Sequence, residues 1–213
     1  MARFQLVRDE NGYGLKDVLS NQRALVIDFL SPQMHHRRAH GGKKELLLKA
    51  VNARTGLEVW DCTAGLGTDS FLLAAAGCDV TMFERSAVLS ILLEQALLSL
   101  KKSGELQQVS NRMRCVREDS ISFLKQARQP PDVILIDPMF PARTKSAQVK
   151  GEMQILQRFL SKDENARELL RLAIDSGVPR VVLKQPATGT GVPGFEPDFS
   201  LSAKANRFDV YLN

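Results

Sequence analysis

The sequence contains no apolar run that approaches the roughly 18 residues needed to cross a membrane. Its first residues do not have the form of a signal peptide either, because Arg3, Arg8 and Asp9 interrupt the short apolar stretches there. We therefore expect no membrane partner. With 213 residues, of which 44% are hydrophobic, the chain can bury one substantial core, and one globular domain with a small appendage is the simplest interpretation.

Cysteine and histidine are both scarce, with three residues of each. Cys62, Cys78 and Cys115 are widely separated and lie in or beside apolar runs. That placement is typical of buried, reduced thiols in a cytoplasmic protein rather than of metal ligands. The histidines lie together at 35–40, but no cysteine or carboxylate is close by in sequence to complete a ligand set. We therefore expect no metal site and a cytoplasmic location.

The chain is organised around residues 60–69, where two glycines stand one residue apart. An apolar run at 57–60 predicts a buried strand, and an apolar run at 70–76 predicts a helix. Between them, Gly65 and Gly67 allow a tight turn and a close backbone approach, since neither has a Cβ atom. Strand, glycine turn and helix are how a doubly wound sheet approaches a nucleotide-like ligand.

The third glycine of the dinucleotide fingerprint is missing, because position 70 is serine. The strand before the turn also ends on Asp61, whose carboxylate would repel a pyrophosphate but attract a cationic ligand such as a sulfonium. A nucleotide-dependent oxidoreductase is therefore disfavoured. An ordinary strand-to-helix turn without a ligand remains an alternative.

Strands and helices alternate along most of the chain. Apolar runs predict strands at 57–60, 79–84, 113–117, 133–136, 180–184, 199–203 and 207–212. Helices are predicted at 45–52, 70–76, 87–100, 120–127 and 161–175, the last from a capping box. This alternation predicts an α/β fold with a mostly parallel seven-stranded sheet, a C-terminal antiparallel hairpin and helices on both faces.

The N-terminal region follows a different pattern. Short strands are predicted at 4–7 and 24–29, a turn at 11–14 and a basic loop at 34–44. We interpret residues 1–44 as an N-terminal arm or small layer and residues 45–213 as the main domain.

Acidic side chains follow four successive predicted strands, as Asp61, Glu84, Asp119 and Asp137. Ligands of such sheets bind outside the carboxyl ends of the strands, so these acids are expected to line one site. Glu84 lies 23 residues after Asp61, close to the spacing of about 20 at which an acid reaches ribose hydroxyls. Asp119 and Ser120 could equally cap the next helix.

The most informative of these acids begins the segment 137–141, Asp-Pro-Met-Phe-Pro. Its two prolines restrict the backbone and remove two amide donors. The Asp137 carboxylate, the Pro138 carbonyl and the Phe140 ring are then presented together. Two acceptors beside a stacking ring suit a planar group with an exocyclic amino group, such as a nucleobase, although a proline-braced loop is the alternative.

The net charge of +5 mildly favours a polyanionic partner. Cationic side chains are concentrated in two segments. The candidate phosphate contacts are Arg37, Arg38, Lys43, Lys44, Arg143, Lys145 and Lys150. For both segments, a solvated basic loop is the alternative.

Together these features resemble class I S-adenosylmethionine (SAM)-dependent methyltransferases. More narrowly, they resemble the RsmJ family, bacterial enzymes that methylate N2 of a guanine near the 3′ end of small-subunit ribosomal RNA. The matching motifs are Asp61-x-Thr63-Ala64-Gly65-Leu66-Gly67-x-Asp69, Glu84-Arg85, Asp137-Pro138-Met139-Phe140-Pro141, His36-Arg37-Arg38 and Arg207-Phe208-Asp209-x-Tyr211. The resemblance implies a Rossmann-like class I methyltransferase fold, SAM as cofactor, and ribosomal RNA or the small-subunit particle as partner.

The resemblance also implies roles for individual residues. Catalysis would fall to Asp137, Pro138 and Phe140. The cofactor would be surrounded by Asp61, Gly65, Gly67, Thr68, Asp69, Glu84, Arg85, Asp119, Ser120 and Asp137. The family usually has arginine where this chain has Thr68, and serine where it has Asp119.

Three other functions remain open at this level. A methyltransferase for adenine N6 or a glutamine amide is the nearest, since similar Asp-Pro elements serve those groups, although Met139 disfavours it. An oxidoreductase and a non-catalytic RNA-binding module are the other two.

Overall fold

The computed structural model describes residues 2–10, 12–41, 45–138, 151–160, 165–188 and 191–213. The strands are β1 Phe4–Asp9, β2 Gly12–Asp17, β3 Glu58–Asp61, β4 Asp79–Phe83, β5 Met113–Val116, β6 Val133–Ile136, β7 Arg180–Pro186, β8 Phe199–Ser202 and β9 Asn206–Leu212. The helices are α1 Pro32–Gly41, α2 Leu46–Val51, α3 Thr68–Ala75, α4 Ala87–Lys102, α5 Gln107–Asn111, α6 Ser120–Leu124, α7 Gly151–Phe159 and α8 Ala166–Asp175.

Seven strands form one sheet in the order β5-β4-β3-β6-β7-β9-β8. The five strands from β5 to β7 pair in parallel, whereas β9 is antiparallel to both β7 and β8. The predicted parallel sheet with a closing hairpin is confirmed. The chain reverses direction across the sheet between β3 and β6, and ligands of doubly wound sheets bind at that switch point.

The central strand β6 shows why helices cover both faces. Its four residues are fully buried, and they alternate between two apolar clusters. Val133 and Leu135 pack with residues of α2, α3 and α4, while Ile134 and Ile136 pack with residues of α6 and α8. Burial on both faces explains the uninterrupted apolar run of this strand.

The N-terminal hairpin β1–β2 packs against α4, where the Tyr13 N–H donates to Gln95 Oε1 over 2.6 Å. Leu15 and Phe29 belong to the same apolar cluster as β3 and β4. The division into residues 1–44 and 45–213 remains a prediction.

The strand predicted at 24–29 is wrong, because only Leu25 pairs, in a single bridge with Leu15. Asp28 turns the chain soon afterwards, since its Oδ1 accepts the Leu30 N–H over 2.8 Å. The turn predicted at 11–14 is also wrong for residues 12–14, which lie in β2.

The basic loop predicted at 34–44 is wrong for its described part, which lies in α1. Proline at the first helical position has a suitable φ angle and loses no intrahelical hydrogen bond. Ser31 precedes it, and its Oγ accepts the Met34 N–H over 3.4 Å. The sequence therefore carried a helix start just before the charged residues.

The remaining predicted helices are observed with small shifts. The helix predicted at 161–175 is present as α8, and its predicted capping box lies outside the described residues. The sequence reasoning predicted neither α5 nor α7.

Candidate active site at the carboxyl edge of the sheet

A cavity of about 720 Å³ lies at the carboxyl ends of the parallel strands. It is lined by a residue that ends or follows each of β3, β4, β5 and β6, and by one within β7. These residues are Asp61, Glu84, Asp119, Asp137 and Lys184. The strand-end positions predicted from sequence therefore face one shared space.

The glycine turn forms one wall of the cavity. Gly65 and Gly67 have φ angles of 53° and 67°, which side chains rarely adopt. Gly65 and Thr68 line the cavity. Gly67 lies behind the wall, where a Cβ atom would stand 2.8 Å from Leu93 Cδ2 and 3.0 Å from Phe29 Cζ. We infer that Gly67 shapes the turn without facing the cavity itself.

Asp61, the last residue of β3, is 3% exposed, and its donors among the described residues are neutral. Its Oδ1 accepts the Thr63 N–H over 3.1 Å, and its Oδ2 accepts the Ser70 hydroxyl over 2.5 Å. Burial and, to a smaller extent, the charges of Asp69 and Asp137 outweigh these two hydrogen bonds and together raise the pKa of Asp61 to about 7. This carboxylate would therefore gain from a cation in the cavity.

Glu84 follows β4 and links it to the glycine turn. Its Oε2 accepts the Gly65 N–H over 3.1 Å, and its Oε1 accepts the Ser86 N–H over 2.7 Å. Both bonds fix the carboxylate, which is 7% exposed, at the cavity wall. A carboxylate oxygen can accept more than one hydrogen bond, so Glu84 is of a type that suits hydroxyl groups. Arg85 is exposed and also lines the cavity.

Asp119 and Ser120 combine the two possibilities left open by the sequence. Asp119 caps α6, since its Oδ1 accepts the Ser122 N–H over 2.9 Å. Both residues nevertheless line the cavity. A helix cap here holds polar atoms at the cavity edge.

Asp137 lies at the centre of a charged cluster. Its Oδ2 is 2.6 Å from the Lys184 Nζ, which is also 2.6 Å from Asp69 Oδ2. Arg37 Nη2 lies 3.2 Å from the other oxygen of Asp69. The Asp137 N–H donates to the Thr63 Oγ1 over 2.6 Å. Four segments of the chain are thus joined at one point.

The charges of this cluster set its protonation states. Burial and the charge of Asp69 raise the pKa of Asp137, although Lys184 opposes them. Burial would also raise the pKa of Asp69, but the charges of Lys184 and Arg37 outweigh it and hold that pKa below its usual value. Burial likewise works against the charge of Lys184, yet its two carboxylate neighbours raise its pKa overall.

Pro138 lines the cavity beside Asp137. The other residues predicted after it lie outside the described residues, as do two of the basic positions. These are Phe140, Lys43, Lys44, Arg143, Lys145 and Lys150.

Arg37 and Arg38 lie on α1 and not on the predicted loop, and both are engaged in ion pairs. Arg37 Nη2 lies 3.2 Å from Asp69 and 3.6 Å from Glu45, and Arg38 Nη2 lies 3.3 Å from Glu105. Arg37 lines the cavity. Their proposed contact with phosphate stays a prediction, since such a contact would compete with these carboxylates.

Sequence reasoning missed Thr63 and Lys184. Lys184 follows the apolar run Val181–Leu183 just as the acids follow theirs, so the same strand-end rule, applied to cations, would have identified it. Thr63 belongs to the glycine-turn motif quoted above, but a threonine in a turn is common, and nothing in the sequence indicated a role of its own for it.

Within the described ranges, no cluster of three or more His, Cys, Asp or Glu side chains is placed to hold a metal ion. Nor does any helix in that part of the chain combine the length and apolar character of a membrane span.

Comparisons with known proteins agree with this architecture. The model of a family described as putative SAM-dependent methyltransferase matches residues 1–213. Ribosomal RNA small subunit methyltransferase J from Pseudoalteromonas atlantica is 43% identical over 197 residues, covering 88% of this chain and 76% of that protein. The protein of the same name from Shewanella baltica is 38% identical over 226 residues, covering 99% of this chain and 91% of the relative.

A solved structure supports the same conclusion. The crystal structure of a SAM-dependent methyltransferase from Neisseria gonorrhoeae superposes with a TM-score of 0.72 at 31% identity, covering 95% of this chain and 79% of that one. A putative methyltransferase from Escherichia coli shares the fold at 18% identity, with a TM-score of 0.53, over 90% of this chain and 92% of that one.

Proposed function

Because the chain belongs to the ribosomal RNA small subunit methyltransferase J family of SAM-dependent methyltransferases, we propose that it methylates a guanine of small-subunit ribosomal RNA. The acceptor would be the 2-amino nitrogen of that base. The observation that carries the proposal is the Asp137 carboxylate, which lies at the switch point of the sheet and faces the same cavity as the glycine turn.

The residues present fit SAM. A volume of about 720 Å³ lies within the range of small-molecule sites, about 300–1,000 Å³. Asp61 has no cationic partner among its described contacts and would complement the positive charge of the cofactor. Glu84 would accept the ribose hydroxyls, and Asp119 the adenine amino group. When bound, SAM supplies an electrophilic methyl group carried on a sulfonium.

The protein has to overcome the weak nucleophilicity of the guanine amino nitrogen, whose lone pair is delocalised into the ring. Asp137 and the Pro138 carbonyl would accept hydrogen bonds from this amino group and aim it at the methyl group. Alignment at about 3–3.5 Å supplies much of the rate in such reactions. The carboxylate also stabilises the positive charge that develops on nitrogen.

The remaining steps need no covalent enzyme intermediate. As the nitrogen gains the methyl group it releases one proton, which Asp137 or water accepts. Phe140 would stack on the base. Arg37, Arg38, Lys43, Lys44, Arg143, Lys145 and Lys150 would contact phosphates, so RNA binding should weaken steeply with salt. We also propose that the assembled small-subunit particle is a partner and that the protein is located in the cytoplasm, where ribosomal RNA is found.

Replacing Asp137 with alanine tests the proposal. We expect methylation to be abolished while the fold is retained, as measured by tritium transfer from labelled SAM to small-subunit RNA and by circular dichroism. Asp175→Ala is the matched control, since Asp175 is exposed on α8 and forms only a loose 3.9 Å pair with Arg171. Substantial activity in the Asp137 variant would rule out its role.

Nucleoside mass spectrometry of the product identifies the acceptor. N2-methylguanosine is expected from the wild-type protein. Finding N6-methyladenosine, or label in protein instead of RNA, would favour the alternative amino-group methyltransferases.

A further inference from the structure

Lys184 occupies a position that neither the motifs nor the proposed reaction assigns. It lies in β7 between the buried residues Leu183 and Gln185, and its side chain is 17% exposed. Its ammonium contacts Asp137 Oδ2 and Asp69 Oδ2 at 2.6 Å each. Placing a lysine at the inner end of a cavity costs solvation, so its contacts must offset that cost.

The two carboxylates that Lys184 joins belong to different parts of the site. Asp69 lies in the first turn of α3, directly after the glycine turn. Asp137 follows β6 and carries the proposed contact with the substrate. One ammonium therefore connects the cofactor wall with the substrate-facing carboxylate.

Asp137 needs such a partner to remain an acceptor. A protonated carboxyl group would present a donor to the substrate amino group, which is itself a donor. The charged groups that act on Asp137 are Lys184, Asp69, Arg37 and the nearby Asp61. Burial, Asp69 and Asp61 favour the neutral acid, whereas Lys184 and Arg37 favour the carboxylate.

We propose that Lys184 is a positioning residue for methyl transfer: its ammonium clamps Oδ2 of Asp137 against Oδ2 of Asp69, keeps Asp137 ionised and leaves Oδ1 to accept the substrate amino group. This inference rests on the proposed function. A purely structural ion pair would stabilise the fold but would not control the charge of Asp137 during the reaction.

The charge of Asp137 can be measured without substrate or cofactor. Carbon-13 NMR of labelled aspartate carboxyl groups gives its titration midpoint, with Asp137→Asn identifying the signal. We expect Lys184→Met to move the midpoint to higher pH and Asp69→Asn to move it to lower pH, because the first removes a cation and the second an anion. An unmoved or lowered midpoint in Lys184→Met would overturn the proposal.

Activity then tests the positioning role. With saturating SAM and RNA, kcat of Lys184→Met should fall about 100-fold, the scale of a small misplacement, with KM for SAM changed less than about 3-fold. The acid limb of its pH–rate profile should follow the NMR midpoint. Lys184→Arg keeps the charge and should recover part of kcat. A loss confined to KM, or a wild-type pH profile in Lys184→Met, would contradict the role.

Two comparisons keep the outcomes separate. Lys125→Met is the matched control, because Lys125 forms a 2.8 Å surface pair with Glu168 and should leave kcat unchanged. Ser70→Ala removes a hydrogen bond from Asp61 and favours its neutral form, so it should not move the Asp137 midpoint to higher pH as Lys184→Met does. An inactive wild-type protein would overturn the proposed function, and the positioning role with it. An active wild type with an unmoved midpoint in Lys184→Met would overturn the role of the lysine alone.

Discussion

Two buried aspartates of the large sheet, Asp209 and Asp61, differ in the number and charge of the groups that donate hydrogen bonds to them. Asp209 in β9 is 0% exposed and accepts from Gln185, from Ser200 and from two nitrogens of Arg207 at 2.6–2.9 Å. Asp61 is 3% exposed and accepts from one backbone N–H and one hydroxyl. The protein neutralises the first charge internally, whereas the second lines a cavity and accepts from neutral donors only among the described residues.

Asp209 and Asp61 both belong to motifs that resemble the family, and this difference indicates a structural role for the first and a ligand-binding role for the second. The Arg207-Phe208-Asp209 segment is one of the motifs that resemble the family, yet the Asp209 carboxylate is engaged by Gln185, Ser200 and Arg207 inside the protein. We infer that Asp209 holds the C-terminal hairpin against β7. Removing each charge should therefore have opposite consequences for stability.

The largest expected effect is on Asp209. Asp209→Ala would leave Arg207, Gln185 and Ser200 without their shared acceptor, and breaking such a buried pair costs about 3–5 kcal/mol. Urea denaturation measures the free energy of unfolding. Ser200→Ala, which removes one donor only, should lose about 1 kcal/mol. Equal losses in the two variants would show that Asp209 is not the centre of this cluster.

Asp61→Asn should instead stabilise the ligand-free protein at neutral pH. The folded pKa of about 7 lies above the usual 3.8, so the folded state holds a proton that the unfolded state has released. The contribution of Asp61 to the free energy of unfolding is thus fully present below about pH 4 and is lost as the pH rises through 7. In asparagine the amide oxygen can still accept the Thr63 N–H, and the amide NH2 can donate to the Ser70 hydroxyl in a reversed bond. The side chain carries no charge, so the variant does not incur this loss.

The gain should be near zero at pH 4 and reach about 2–4 kcal/mol above pH 7. Urea denaturation of both proteins at pH 4.5, 6 and 8 measures it. A pH-independent difference would mean that the pKa of Asp61 is not raised in the folded protein.

The same comparison shows which parts of the site could be predicted from the sequence. Strand-end acids were predictable because parallel strands bring their carboxyl ends to one edge, and all four acids do line the cavity. Their partners were not predictable, because Lys184 and Arg37 come from segments more than 30 residues away from Asp69 and depend on how β7 and α1 pack. The local sequence was sufficient to predict which edge of the sheet carries charged side chains. Which of these charges are neutralised depends on tertiary packing, which the sequence patterns do not contain.

Helix α1 illustrates a different failure. Its cationic residues were given more weight than the Ser31-Pro32 start signal, so a helix was predicted to be a loop. On this helix, the Arg37 side chain forms an ion pair with Asp69 at the cavity. To contact a phosphate it would have to give up that ion pair, which a solvated loop residue would not.

Cofactor binding should depend on pH through Asp61, with a smaller effect than that on stability. A bound cation favours the ionised carboxylate, so binding below pH 7 must displace a proton. The SAM affinity should weaken up to about tenfold per pH unit below 7 and level off above it. Isothermal titration calorimetry at pH 5.5, 6.5 and 7.5 measures this, and Asp61→Asn should bind more weakly with a flat profile. An equally steep profile in the variant would assign the effect to another group.

The smallest effect concerns Thr63, which connects the two acids. Its N–H donates to Asp61, and its Oγ1 accepts the Asp137 N–H over 2.6 Å, so it links the residue proposed to face the cofactor to the one proposed to face the substrate. Thr63→Val keeps the shape but leaves the Asp137 N–H without an acceptor, at about 1 kcal/mol. We expect kcat to fall about 10-fold with SAM affinity unchanged, because only the substrate-facing side moves. Thr63→Ser retains the hydroxyl and should stay near wild type in both assays. A wild-type kcat in Thr63→Val would show that this hydrogen bond does not position Asp137.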